Sequence, residues 1–251
     1  MALQGDLGLY LSGCPVPLKQ SNVLITPPKV RDILAFGEDK FLMASHLFGD
    51  TKKFLREVRE GNSELDKYSD FQLLLVILNE EANSRRLVND YFELVFPDYH
   101  IEFTDNSINY TKEGRIVGRV TPFSYEELQT TVLELFEPYK DKKEDYNPAN
   151  DKAAEIAAKI KKGKEKIEAL KNGGKKEENT SLFAVYLSVL SVGMGLDINV
   201  LLSYTPFQLY DTFSRYFAKV QSDIYQQISM QPFADTSKID APEDWYRGLY
   251  G

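Results

Sequence analysis

The residues able to do chemistry in this chain are few and scattered. His46 and His100 are its two histidines. His46 lies in an apolar helical stretch and His100 at the start of an alternating one. Neither sits in an HxxxH or ExxH pattern, which would aim two ligands, or a ligand and a base, in one direction. A single cysteine, Cys14, excludes an internal disulfide and any thiolate metal cluster, and suits a reducing compartment. No GxSxG elbow, GxxxxGK[ST] loop or GxGxxG turn occurs, so neither an exposed serine nucleophile nor a phosphate cradle has a signature. Glu80-Glu81 and Glu126-Glu127 supply paired carboxylates, yet adjacent helical residues point about 100° apart and read as solvated decoration. No catalytic, cofactor-binding or metal-ligating residue emerges, and the expectation is a binding or assembly protein rather than an enzyme.

Charge narrows the partners. The formal charge is −8 and the pI near 5.0, so no global field gathers the protein onto nucleic acid or an anionic membrane. The basic residues concentrate between Lys140 and Glu178, where 12 lysines against 9 acids give +3 while the rest of the chain carries −11. Glu165 and Glu168 lie three and four residues from lysines in that run, which favours self-paired surface charge, and the aromatic groups that would stack bases are missing. Asp6 interrupts the N-terminal apolar stretch and no basic region precedes it, so it is expected to stay in the mature protein. The longest apolar run, LFAVYLSVLSVGMGL at 182–196, is too short to span a bilayer and reads as a buried helix.

The elements that would position any site are mainly helical. After an irregular start, Thr26 followed by two prolines predicts a capped helix carrying Val30, Ile33 and Leu34, with a break at Gly37 and a second apolar set at Phe41, Leu42 and Leu47. Ser69 caps a helix that is apolar almost all round, and NSRRLVNDYFELVF gives another. The period then switches to two over 99–104, 107–111 and 115–120, with Asp105-Asn106 and Lys112-Glu113-Gly114 as turns, which predicts a three-stranded antiparallel meander. Ser124 and Glu127 read as a capping box for a helix that stops before Pro138. Ala153, Ile156, Ile160, Gly163, Ile167 and Leu170 form a narrow stripe in the lysine-rich segment, expected to be a peripheral helix. Thr180 or Ser181 starts a further helix. Thr205-Pro206 starts a long one with Phe207, Tyr210, Phe213, Phe217, Val220, Ile224 and Ile228 at helical spacing. The fold class is α+β, mainly α: a helical N-terminal body with a meander (1–138), a charged insert (139–179) and a C-terminal helical block with an aromatic tail (180–251).

That tail, APEDWYRGLYG, holds the sole tryptophan, Trp245, with Tyr246, Leu249 and Tyr250. Trp and Tyr serve both as core plugs and as interface anchors. Docking onto the chain's own domain is placed ahead of docking onto a partner, because Pro242 stiffens the approach and the neighbouring apolar groups offset the cost of ordering the arm.

The opening ITPPKVRDILAFGEDKF, the helical body, the charged insert, the final block SLFAVYLSVLSVGMGLDINVLLSYTPFQLYDTFSRYF and the terminal PEDWY together resemble a tail assembly chaperone of tailed bacteriophages of Gram-positive hosts. The resemblance implies a cofactor-free protein of the host cytoplasm. Such a protein binds the tape measure protein, keeps it soluble and recruits tail-tube subunits, with self-association as a further mode and neither nucleic acid nor membrane as partner. Phe207, Tyr210, Phe213, Phe217, Trp245 and Tyr246 are the expected partner-binding residues. The alternative is a structural protein of the virion: a tail, baseplate or connector component.

Overall fold

The computed structural model describes residues 6–60, 63–136 and 181–230. The chain opens with helix α1 (Leu7–Ser12), whose first turn is capped by Asp6: its carboxylate accepts from the N–H groups of Gly8 (2.8 Å) and Leu9 (3.3 Å). Two three-residue strands follow, β1 (Val16–Leu18) and β2 (Val23–Ile25), paired antiparallel with Val16 opposite Ile25 and Leu18 opposite Val23. This hairpin replaces the irregular start expected from sequence. Strands this short give alternation too few residues to register, and much of what holds them is remote. Glu127 accepts from the N–H of Lys19 (2.7 Å) and of Gln20 (2.9 Å), Arg119 N–H donates to the Ser21 carbonyl (2.9 Å), and the Asn22 amide donates to the Val117 carbonyl (2.8 Å).

Helix α2 (Val30–Phe36) starts three residues later than the Thr26 cap predicts. A residue before proline is driven out of the helical region, and Thr26 and Pro27 each precede one, so 26–29 stay outside the helix, with Lys29 extended. The Thr26 N–H is spent on the Val95 carbonyl (2.8 Å). Gly37, at φ 107°, makes the break between α2 and α3 (Glu38–Gly49), as expected. After α4 (Thr51–Arg59) and a short 3-10 turn at Ser63–Lys67 come α5 (Asp70–Glu80) and α6 (Ala82–Val95). Ser69 caps α5 in a reciprocal box with Gln72, and the helix buries Phe71, Leu73, Leu74, Leu75 and Leu78, in keeping with its nearly unbroken apolar composition.

The predicted meander is present as β3 (His100–Phe103), β4 (Ile108–Lys112) and β5 (Arg115–Val120), antiparallel in that order. Glu113 (φ 53°) and Gly114 (φ 74°) form the two-residue turn between β4 and β5, whose positive angles match the right-handed twist of the strands. Helix α7 (Tyr125–Phe136) begins where expected, but Ser124 and Glu127 form no capping box. The Ser124 hydroxyl accepts instead from Thr121 N–H (3.0 Å), and the Glu127 carboxylate is committed to the hairpin turn.

The C-terminal block is α8 (Leu182–Met194), α9 (Ile198–Leu202) and α10 (Pro206–Ser229). Thr205 and Gln208 form the capping box of α10 with Pro206 in its first turn, as the Thr-Pro signal predicts. This block shares one core with the N-terminal body. Tyr10 of α1 meets Phe207 of α10 edge-on at 5.3 Å and donates its hydroxyl to Glu134 of α7 (2.7 Å). Gln208 donates to the Leu11 carbonyl (2.7 Å), and Val30 N–H to the Tyr204 carbonyl (2.8 Å). The protein is thus mainly helical α+β with a small antiparallel sheet. The lysine-rich insert and the Trp245 tail lie outside the described residues.

Three phenols deep in this core carry a pH signature. Burial pushes Tyr10, Tyr110 and Tyr125 well above the ordinary value of 10.0; Glu134 reinforces this at Tyr10, Tyr91 and Tyr99 at Tyr110, and Asp70 at Tyr125, where the Thr51 hydrogen bond works the other way. A group whose folded value is raised stabilises the fold below its unfolded value and loses that contribution as pH rises. Stability is therefore expected to hold up to about pH 10 and then fall by about 1.4 kcal/mol per pH unit for each phenol. Denaturation midpoints measured from pH 8 upwards check this, and a flat profile through pH 11 contradicts it.

Candidate interaction surface

Helix α8 is where an apolar sequence meets solvent. Its N-terminus is held by two side chains. Ser181 accepts from Ala184 N–H (3.0 Å), while Glu38, the first residue of α3, accepts from the N–H of Leu182 (2.7 Å) and Phe183 (3.2 Å) and from the Ser181 hydroxyl. A carboxylate on the first N–H groups of a helix satisfies donors that have no partner within the helix and meets the positive end of its dipole. At the far end Gly195, at φ 68°, turns the chain, and Ser191 donates to the Leu196 carbonyl (2.8 Å).

With its ends fixed, α8 presents one face inward. Phe183, Leu187 and Leu190 are buried, and Tyr186 packs on Phe213 (4.2 Å between ring centres) and edge-on to Tyr210 (5.4 Å). Gly193 lets the Tyr216 ring lie against the helix, since a β-carbon there would collide with the phenol. The opposite face carries Leu182, Val185, Val189 and Val192 at steps of three and four, all exposed, and Val192 is 84% so. Ile198 and Val200 of α9 extend the exposed apolar set. Helix α10 also carries exposed apolar residues: Phe217 (54% exposed), Ile224 and, at the C-cap, Met230 (80%). No charged residue occurs from Ser181 to Leu196. The expected buried helix is therefore corrected to a half-buried one. Elsewhere, large exposed apolar groups such as Met43, Phe54, Ile116 and Phe123 each stand on a different segment.

The expected partner-binding residues divide. Phe207 and Tyr210 are buried in the core and have no surface to offer a partner; Phe213 is partly buried, packed between Tyr186 and Phe217. Phe217 is on the surface, and Trp245 and Tyr246 lie outside the described residues. Sequence reasoning missed Leu182, Val185, Val189 and Val192. Their spacing was legible, but with no charged residue anywhere on the helix the pattern does not say which face is in.

The two histidines do not share a site: His46 is not among the residues around the depression beside His100. His46 is exposed on α3, and His100 is exposed on β3 beside a depression of about 450 Å³ that Glu93, Asp98, Lys112 and Glu113 also line. Among the described residues no set of three or more His, Cys, Asp and Glu side chains is placed to hold a metal ion. Glu81 accepts from Ser84 (2.7 Å) and Glu127 from the hairpin, so one carboxylate of each sequence pair has a structural partner. Cys14 is exposed and unpaired with another cysteine. No helix among the described residues is long and apolar enough to cross a membrane.

No protein-family model, curated protein or solved structure matches this chain.

Proposed function

We propose that this protein is a non-enzymatic assembly chaperone that shelters an apolar helical segment of another protein against the outer face of α8 and α10. The observation that carries the reading is the uncharged stripe Leu182, Val185, Val189 and Val192. An apolar stripe at helical spacing is the complement of an amphipathic helix, and soluble proteins rarely leave such patches uncovered unless something docks there. Together with the sequence resemblance, this makes the client the tape measure protein of a tailed phage, held soluble in the host cytoplasm until tail-tube subunits assemble around it.

Co-expression with that phage's tape measure protein tests the proposal. The wild-type chain should move the client from the pellet to the soluble fraction, and the double substitution Val189→Glu, Val192→Glu should abolish the gain while leaving the chaperone's far-UV circular dichroism unchanged. An unchanged soluble fraction with the wild-type chain would overturn the reading. Mass spectrometry of purified virions separates it from the alternative: a chaperone is absent or scarce, whereas a tail, baseplate or connector component is present in fixed copy number.

A further inference from the structure

We propose that in the free protein the apolar face of α8 and α10 is the seat of the chain's own segment 241–251, with Trp245 as its anchor, and that a client binds by displacing it. The inference rests on the reading of that face as the client site.

Shape is the first argument. The α8 face offers Leu182, Ala184, Val185, Ser188, Val189 and Val192: small or β-branched groups, with no ring and no charge. Such a surface has gaps for large flat side chains but few knobs of its own, so pairing it with a second copy sets small against small. The segment 241–251 supplies what the face lacks, in Trp245, Tyr246, Leu249 and Tyr250.

Continuity and reach are the second. The exposed apolar residues of α10 run through Phe217 and Ile224 to Met230, from which ten residues lead to this segment. The 15 residues from Met230 to Trp245 extend up to about 50 Å at ~3.3 Å each. The 24 residues of α10 cover only about 36 Å. Trp245 can therefore run back past Phe217 to the place where Phe213 meets Tyr186 of α8. Tethering gives the anchor an effective concentration of order millimolar, enough to hold a modest apolar contact closed. The acids on the way, Asp235, Asp240, Glu243 and Asp244, have no charged counterpart on the α8 face, so they can stay in water while the rings dock.

Because Trp245 is the sole tryptophan, its emission reports this one contact. In the full-length protein it should be blue-shifted and shielded from acrylamide. Val189→Glu with Val192→Glu should return it to the emission of indole in water with the far-UV circular dichroism unchanged, and Phe217→Glu repeats the test from α10. Truncation after Asp240 should raise the fluorescence of 8-anilinonaphthalene-1-sulfonate and, for a strap closed nine-tenths of the time, tighten capture of the tape measure protein about tenfold. Three results overturn the proposal: solvent-like emission in the full-length chain, a blue shift that survives all the face substitutions, or one that fades on dilution and so belongs to a second copy. The two readings fail separately. A shift lost on face substitution with no client solubilised leaves the strap and removes the chaperone role; solubilised client with solvent-like emission does the reverse.

Discussion

Phe92→Ala is expected to destabilise the fold by about 3–5 kcal/mol, the range for truncating a fully buried aromatic ring. Phe92 sits on α6 with 1% of its surface exposed, and five rings surround it: Phe48 at 4.7 Å, Phe96 at 5.2 Å, Tyr91 and Phe103 at 5.8 Å, and Tyr110 at 6.4 Å between centres. These come from α3, α6 with its C-cap Phe96, and the meander, so one ring joins the helical body to the sheet. Its neighbours hold one another (Phe96 and Tyr110 meet at 4.9 Å), so they cannot collapse into the space left behind, and the cavity cost adds to the lost transfer energy. Against a total stability of roughly 5–15 kcal/mol, that is a large share. Urea denaturation checks it: the midpoint should fall with the slope unchanged. Phe92→Leu should cost clearly less, because most of the volume is retained. Equal midpoints for the wild type and Phe92→Ala would mean that the ring cluster is not a joint.

Gly118→Ala is expected to act through shape alone. Gly118 lies on β5 opposite Tyr110, under the tip of the β1-β2 hairpin. A β-carbon there would sit 2.5 Å from the Ser21 carbonyl oxygen and 2.8 Å from that of Asn22, and would collide with Val23. Two of the obstacles are backbone, which cannot rotate aside as a side chain does, so the hairpin must lift. Lifting it weakens the Arg119-to-Ser21 and Asn22-to-Val117 hydrogen bonds at the same time. Overpacking costs about 1–3 kcal/mol, read as a melting temperature lower by roughly 2–4 °C per kcal/mol. Amide exchange should rise over residues 16–25 and far less in α5. Gly118→Val should be worse than alanine, and a protein that tolerates valine without loss would show that the hairpin is only loosely seated.

Where a sequence signal was local and chemically specific, it carried over. The Ser69 and Thr205 caps, the Gly37 break, the Glu113-Gly114 turn and the alternation of the meander each depend on a few adjacent residues whose backbone preferences act wherever they are placed. The failures share a cause. Thr26 has the look of a helix cap, but consecutive prolines override it, and its N–H has a distant partner in Val95. Ser124 and Glu127 have the spacing of a capping box, but the hairpin turn competes for the carboxylate through Lys19 and Gln20. A short hairpin with weak alternation forms because a sheet edge and a helix already stand beside it.

The candidate surface divides along the same line. Composition and period by themselves determined a mainly helical α+β chain, the order and approximate bounds of its larger elements, and the lack of any recognisable catalytic motif. They could not determine which side of α8 meets water. A helix with no charge on any face has little internal reference for inside and outside, and its neighbours supply one: Glu38 fixes the start of α8, Tyr210, Phe213 and Tyr216 cover one side, and Leu182, Val185, Val189 and Val192 are left on the other. Tertiary packing decided the surface, because burial belongs to pairs of elements and not to any one of them.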